Sequence, residues 1–173
     1  MIRAAIVEDN ATIRDLIREY LDMQEGIECP FAAESVEELL QRLDASRPEE
    51  RPQVVLMDIQ LPGMSGIQGI REIRRRYDGI EAIMLTVYHD SHKIFDSLKA
   101  GASGYLLKHT SLPEIRESIE LLVNGGAPMS PQIARRVIEH FNPSGSPAKH
   151  LEEPLTVREQ DIVNGLVDGL SYK

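Results

Sequence analysis

A continuous apolar run that follows Gln53 and ends at Met57 restricts the fold of this chain more than any other feature. Such runs are typical of parallel strands, because helices cover both faces of a parallel sheet and leave no position facing water. Four further strand-like segments alternate with helix-like segments: Ile2–Val7, Ile27–Ala33, Ala82–Leu85 and Ser103–Leu107. Five strands alternating with five helices predict a doubly wound parallel α/β sheet. Pro30 interrupts the second strand, which predicts an edge position for that strand.

Apolar residues spaced three and four positions apart predict the helices between these strands. In the first predicted helix, the apolar residues at this spacing are Ile13, Leu16, Ile17, Tyr20 and Leu21. Ser35 is placed to cap the second helix, and Ser111 to open the fifth. The fourth helix is expected from about residue 91 to residue 100.

The pattern changes after Gly125 and Gly126, so we expect a first domain at residues 1–124. Ser130-Pro131 predicts the start of a short helix within a linker at residues 125–154, part of which is rich in proline, serine and glycine. A capping box begins one more helix after residue 155, with too few apolar residues for a core of its own. Residues 155–173 are therefore expected either to dock on the first domain or to begin a unit that continues further.

The charge and cysteine content exclude several classes of protein. The chain has 28 acidic and 19 basic residues and a net charge of -9, which argues against non-specific binding to nucleic acid or membranes. Cys29 is the only cysteine, so no disulfide can form within the chain and a reducing compartment is expected. No apolar run reaches the length of a membrane span or of a signal-peptide core. We therefore expect a cytoplasmic protein.

Polar residues stand at the ends of four of the predicted strands. Glu8 and Asp9 follow the first strand, Asp58 the third, Thr86 the fourth and Lys108 the fifth. Because ligands bind at the carboxyl edge of an open parallel sheet, we expect these side chains to gather there. Three carboxylates, a hydroxyl and an ammonium group together can position and neutralise a phosphoryl group.

Each of these residues also has an ordinary structural explanation. Asp58 alone would more often be a turn or cap residue, and Glu8-Asp9 alone would complement a helix dipole. Adjacent acids beside a third repel one another unless a cation lies between them, and Mg²⁺ suits such a set of oxygen ligands. The combination therefore predicts that Asp58 is a nucleophile that forms an acyl phosphate, while Lys108 and Thr86 contact the phosphoryl oxygens.

These residues and their neighbours closely resemble the receiver domain of two-component response regulators. The matching motifs are Glu8-Asp9, Asp58 through Gly66, Thr86, and Gly101 through Lys108. The match covers about residues 1–124. It implies a flavodoxin-like, five-stranded sheet in the order 2-1-3-4-5, here with a C-terminal helical extension.

The resemblance also implies a role for each site residue. Asp58 would accept a phosphoryl group from a sensor histidine kinase. Asp9 and Asp58 would bind Mg²⁺ directly, Gln60 would bind it through its backbone carbonyl, and Glu8 through water.

The resemblance further implies a conformational switch. Thr86 would turn toward the phosphoryl group, and Tyr105 would change rotamer with it. This movement would couple the site to the face formed by the fourth helix, the fifth strand and the fifth helix. His109 follows Lys108 where many receivers have proline, which leaves the geometry of the Lys108–His109 peptide bond open.

The end of the chain resembles the opening of a LuxR-type helix-turn-helix, as in the NarL/FixJ subfamily of response regulators. The matching residues are 155–159 and 168–173, with departures at Asn164-Gly165, inside the first helix, and at Tyr172, where asparagine is usual. The recognition helix that would enter the major groove is absent from this sequence. DNA binding is therefore expected of a full-length protein and not of these residues alone.

Together these patterns predict a response regulator that is phosphorylated on Asp58, dimerises on phosphorylation, switches a DNA-binding output and is not an enzyme. A standalone receiver-type adaptor that acts through protein contacts is one alternative. An aspartyl phosphatase is another, although that class uses a second aspartate where Gln60 stands. A nucleotide- or flavin-binding module would carry a phosphate loop rich in serine, threonine and glycine instead of two acids.

Overall fold

The computed structural model describes residues 1–87 and 90–141. Within them a five-stranded parallel sheet has the order β2-β1-β3-β4-β5, which confirms the expected fold. The strands are β1 (Ile2–Val7), β2 (Ile27–Ala33), β3 (Val54–Met57), β4 (Glu81–Thr86) and β5 (Gly104–Leu107). The helices are α1 (Ala11–Asp22), α2 (Val36–Ala45), α3 (Gly66–Arg76), α4 (Ser91–Ala100), α5 (Leu112–Val123) and α6 (Pro131–Phe141). The expectations for residues 142–173, which include most of the linker and the helix-turn-helix segment, lie outside the described residues.

Strand residues alternate between two apolar cores, as expected for a sheet covered on both faces. In β3, Val55 and Met57 belong to one core, and Val54 and Leu56 belong to the other. The first core also contains buried residues of α2, α3, α4 and α6, whereas the second contains those of α1 and α5. The continuous apolar run of β3 thus reflects burial on both faces.

Strand β2 is an edge strand, as Pro30 predicts. Its parallel register with β1 shifts by one residue between the pairs Arg3–Glu28 and Ala5–Phe31. Cys29 and Pro30 therefore both stand opposite Ala4, and proline lacks the N–H group that a regular ladder requires.

Side-chain caps define where several helices begin. The hydroxyl of Ser35 accepts a hydrogen bond from the Glu38 N–H at the start of α2, as predicted. Asn10 and Asp90 cap α1 and α4 through their side-chain oxygens. Asn10 and Ser35 follow closely on the ends of β1 and β2, so their caps also fix the path of the chain at the carboxyl edge of the sheet.

Residues 1–138 form one compact unit, and residues 139–141 at the end of α6 belong to a second one. The first unit therefore extends past α5 and includes most of α6. Among the described helices, none combines the length and the apolar composition that crossing a membrane requires.

Two leucines of α1 give a matched test of this packing. Leu21 is fully buried, whereas Leu16 is 53% exposed. We expect Leu21→Ala to lower the free energy of unfolding by about 2–5 kcal/mol, because it opens a cavity in the core. Leu16→Ala, the same deletion on the same helix, should change it by less than about 1 kcal/mol. Urea denaturation followed by circular dichroism measures both values, and equal losses would contradict the packing described here.

Candidate functional site

The polar strand ends predicted from the sequence lie together at the carboxyl edge of the sheet. Glu8 and Asp9 follow β1, Asp58 follows β3, Thr86 is the last residue of β4, and Lys108 follows β5. Since β1, β3, β4 and β5 are consecutive neighbours in the sheet, their ends form one continuous rim.

Glu8, Asp9 and Asp58 form a cluster of three carboxyl groups. One oxygen atom from each lies within 4.8 Å of the others. Glu8 and Asp58 are only 2% and 6% exposed, whereas Asp9 is open to solvent. Two buried carboxylates beside an exposed one suit a hard cation that keeps several water ligands, as Mg²⁺ does.

Lys108 places its ammonium group between two of these carboxylates. Its Nζ atom lies 2.6 Å from Oε2 of Glu8 and 2.9 Å from Oδ2 of Asp58. The Lys108 side chain is 14% exposed, so these contacts are largely shielded from water. Short, shielded, charge-assisted hydrogen bonds hold the ends of three different strands in one arrangement.

Burial and charge act in opposite directions on this group of side chains. Burial raises the pKa of Glu8, and the hydrogen bond from Lys108 offsets only part of that rise. For Lys108, burial alone would lower the pKa, but its hydrogen bonds to Asp58 and Glu8 and their negative charges outweigh burial and raise it. Lys108 is therefore a cation at neutral pH.

A backbone N–H group of the loop after β3 holds the carboxylate of Asp58 in place. Oδ1 of Asp58 accepts a hydrogen bond of 2.7 Å from the N–H of Ile59. Helix α3 begins at Gly66, where an added Cβ atom would lie 1.8 Å from the carbonyl oxygen of Asp58. No side chain fits in that space, so the close approach of α3 to Asp58 requires glycine.

The loop after β1 is fixed by contacts on both of its sides. The N–H of Asn10 donates to Oε1 of Glu8 at 3.1 Å, so that carboxylate bridges its own loop and Lys108. From α1, Nη1 of Arg14 donates to the carbonyl oxygen of Glu8 at 2.7 Å. Arg14 thus adds a positive charge behind the acidic loop without neutralising a carboxylate directly.

The remaining predicted residues differ in exposure. Thr86 and Tyr105 are both fully buried, whereas Gln60 is exposed, two residues after Asp58. Burial, together with the negative charges of Asp58 and Asp90, raises the pKa of Tyr105 above its usual range. The phenol is therefore protonated at any physiological pH and can act as a hydrogen-bond donor.

Sequence reasoning missed two features of the site. It assigned Glu8 to the metal ion and Lys108 to the phosphoryl group, whereas in the structure the two side chains form an ion pair. It also overlooked Arg14, because the acceptor of its hydrogen bond is a backbone carbonyl that no residue type reveals. The described residues contain no cis peptide bond, so the Lys108–His109 bond is trans.

Comparisons with known proteins show what the chain is similar to. Residues 4–120 match the family model described as the response regulator receiver domain. The response regulator GacA of Pseudomonas protegens is 36% identical over 88% of this chain and 71% of its own length. The transcriptional regulatory protein LiaR of Bacillus subtilis is 31% identical over the whole of this chain and 80% of its own length. A two-component response regulator of the LuxR family from Aurantimonas sp. is 29% identical, with a TM-score of 0.72 over 80% of this chain and 96% of its own.

The contact between Lys108 and Glu8 can be tested by titration. We expect Lys108→Met to raise the pKa of Glu8 further, because it removes the hydrogen bond and the positive charge that lower that pKa. The ¹³C shift of the Glu8 carboxyl group as a function of pH measures the change. Lys99→Met removes the same charge from an exposed position on α4 and should leave the Glu8 titration unaltered. An unchanged or lower Glu8 pKa in Lys108→Met would contradict the ion pair.

Proposed function

The chain belongs to the response regulator receiver domain family, and on that premise we propose that Asp58 accepts a phosphoryl group from a sensor histidine kinase. One observation carries this proposal. The carboxylate of Asp58 lies at the carboxyl edge of the sheet, 2.9 Å from the ammonium group of Lys108 and in one cluster with two further carboxylates, Glu8 and Asp9. A structural aspartate in a turn requires neither of these neighbours.

The proposed reaction is an in-line displacement at phosphorus. An oxygen of Asp58 forms a bond to phosphorus while the bond from phosphorus to the donor's leaving group breaks, which yields an acyl phosphate. Lys108, already 2.9 Å from Asp58, would neutralise charge on the phosphoryl oxygens. Thr86, at the end of β4, would donate its hydroxyl hydrogen to one of them.

The acidic cluster fits a divalent cation, and we propose Mg²⁺. Asp9 and Asp58 would bind it directly, Gln60 through its backbone carbonyl, and Glu8 through water. Support comes from the oxygen-only donor set, with one atom of each acid within 4.8 Å of the others. When bound, the ion supplies positive charge that offsets repulsion between the carboxylates and the incoming phosphoryl group.

The family is one of signalling switches, and we propose that phosphorylation acts here by shifting a two-state equilibrium. Thr86 and Tyr105 are buried next to the site and would move with the phosphoryl group. The switch would drive dimerisation and act on a DNA-binding output. Several relatives carry the names of transcriptional regulators, which supports this output, as does the helix-turn-helix resemblance at residues 155–173. On this proposal the protein acts as a switch and not as an enzyme. Residues 125–154 would join the receiver domain to the DNA-binding output.

Phosphorylation by a small donor tests the assignment of Asp58. With acetyl phosphate and Mg²⁺, we expect wild-type protein to gain one phosphoryl group, detected by intact-protein mass spectrometry. Asp58→Asn should gain none, because an amide is too poor a nucleophile to form the acyl phosphate. Asp9→Asn should be labelled only at higher Mg²⁺ concentration, because it removes one proposed ligand.

Asp90→Asn serves as the matched control, since Asp90 is an exposed aspartate that caps α4 outside the acidic cluster. It should be labelled as the wild type is. Equal labelling of Asp58→Asn and wild type would exclude Asp58 as the acceptor. Sustained release of phosphate over many turnovers would instead favour the phosphatase alternative.

A switch should also change the assembly of the protein. We expect phosphorylated wild-type protein to sediment as a dimer and the unmodified protein as a monomer. Thr86→Ala should still accept the phosphoryl group on Asp58. It should dimerise less, because it lacks the hydroxyl that is proposed to donate a hydrogen bond to a phosphoryl oxygen. Sedimentation velocity with and without acetyl phosphate measures this difference. Labelling without any change in assembly would contradict the proposed dimerisation.

A further inference from the structure

The segment at residues 128–130 pairs with the outer edge of β5 through a single parallel bridge. The N–H of Tyr105 donates to the carbonyl oxygen of Pro128 at 2.9 Å, and the N–H of Ser130 donates to the carbonyl oxygen of Tyr105 at 3.0 Å. Tyr105 and Met129 form a parallel bridge. Strand β5 is therefore covered on both edges, by β4 on one side and by this segment on the other.

The sequence of β5 is adapted to this neighbour. An added Cβ atom at Gly104 would lie 2.8 Å from Cγ and 2.9 Å from the carbonyl oxygen of Pro128. Gly104 has no positive φ angle that would call for glycine, so its role is to allow this close approach. The contact between β5 and the segment is thus a tight, built interface.

Ser130 completes the interface at the functional end of β5. Its Oγ atom accepts a hydrogen bond of 3.1 Å from the N–H of Leu107, the residue before Lys108. On the opposite edge, the N–H of Lys108 donates to the carbonyl oxygen of Thr86 at 3.0 Å. The backbone that carries Lys108 is therefore held between Thr86 and Ser130.

The Oγ atom of Ser130 accepts the hydrogen bond from Leu107 that a backbone carbonyl would accept in a regular strand, because the chain turns into α6 at this point. The carbonyl of Ser130 accepts from the N–H groups of Ile133 and Ala134, the first turn of that helix. Leu107 and Ser130 are 4% and 7% exposed, so without the hydroxyl the N–H of Leu107 would lack a partner in a buried place. One side chain thus joins the end of β5 to the start of α6.

Helix α6 continues the connection into the first core. Ile133 is fully buried in the same cluster as Tyr105. Nη1 of Arg136 donates to Oγ of Ser91, at the start of α4, at 3.3 Å. Helix α6 therefore shares a core with Tyr105, one of the predicted switch residues, and contacts the start of α4.

We propose that Ser130 is a positioning residue for Lys108. We further propose that a change at the phosphoryl site reaches residues 128–138 through the hydrogen bond between Leu107 and Ser130. This inference rests on the proposed function of Asp58. A movement of Lys108 toward a phosphoryl group pulls on the Leu107 backbone and hence on Ser130 and α6. Because such coupling is reciprocal, a change at Ser130 must also alter the site.

The test compares four variants of the full chain with the wild type. Ser130→Ala removes the hydroxyl, and Ser130→Thr keeps it. Ser118→Ala is the matched control, because the Ser118 hydroxyl donates within α5, to the carbonyl of Glu114. Gly104→Ala keeps Ser130 but places a Cβ against Pro128, and so separates the segment from β5 without removing a hydrogen-bonding group.

Two measurements report on the site. The ¹H–¹³C resonances of the Lys108 Cε group are recorded in unmodified protein, and the rate constant for Asp58 phosphorylation is measured at saturating acetyl phosphate. We expect Ser130→Ala and Gly104→Ala to shift the Lys108 resonances and to lower the rate constant about 3-fold to 10-fold, the effect of losing one hydrogen bond. Ser130→Thr should restore both toward wild type, and Ser118→Ala should alter neither.

Each outcome bears on one claim. If the Lys108 resonances of Ser130→Ala and Gly104→Ala match those of Ser118→Ala, Ser130 does not position Lys108. Should Ser130→Ala fail to fold, Lys108 resonances in Gly104→Ala that match those in Ser118→Ala would overturn the positioning claim. If wild-type protein is not labelled on Asp58, the proposed function fails, while the Lys108 resonances still decide the positioning claim.

Discussion

The ammonium group of Lys108 lies between the carboxylates of Glu8 and Asp58, and the arrangement of the whole rim depends on that contact. Two buried carboxylates this close to one another repel, and both lose hydration on folding. The ammonium group of Lys108 offsets the repulsion and the lost hydration only if it is held in place. The surrounding backbone is therefore closely constrained. Gly66 admits α3 beside Asp58, Arg14 and Asn10 fix the loop of Glu8, and Thr86 pairs with the backbone of Lys108.

The same contact explains how a small chemical change could reach distant parts of the molecule. A phosphoryl group on Asp58 would compete with Glu8 for Lys108, and Lys108 stands at the end of a strand bonded on both edges. Tyr105 lies in the middle of that strand and pairs with residues 128–130. Because packed cores and hydrogen-bonded strands shift between discrete arrangements, the proposed displacement of Lys108 would move residues 128–130 as well.

Local patterns were sufficient to predict most of the fold. The bounds of α4 and the cap at Ser35 agree with expectation, since helix periodicity and capping depend on residues a few positions apart. Pro30 indicated an edge strand because its missing N–H group acts locally. The 3₁₀ turn at Pro48–Glu50 has no counterpart in the sequence-based expectations. The turn has Pro48 at its first position and an ion pair between Arg47 and Glu50. Arg51, the residue that follows it, places its guanidinium group over the ring of Tyr77, 4.9 Å from the ring centre.

The residue types at the strand ends, and hence the chemistry that this edge can perform, follow from the amino-acid sequence alone. A parallel sheet brings such ends together whatever the details of packing, so the sequence was enough to group Glu8, Asp9, Asp58, Thr86 and Lys108. Which of these residues touch, and which contacts hold them, depends on tertiary packing. The ion pair of Glu8 with Lys108 and the hydrogen bond from Leu107 to Ser130 join residues 100 and 23 positions apart, and such distances depend on how the sheet and its loops pack together.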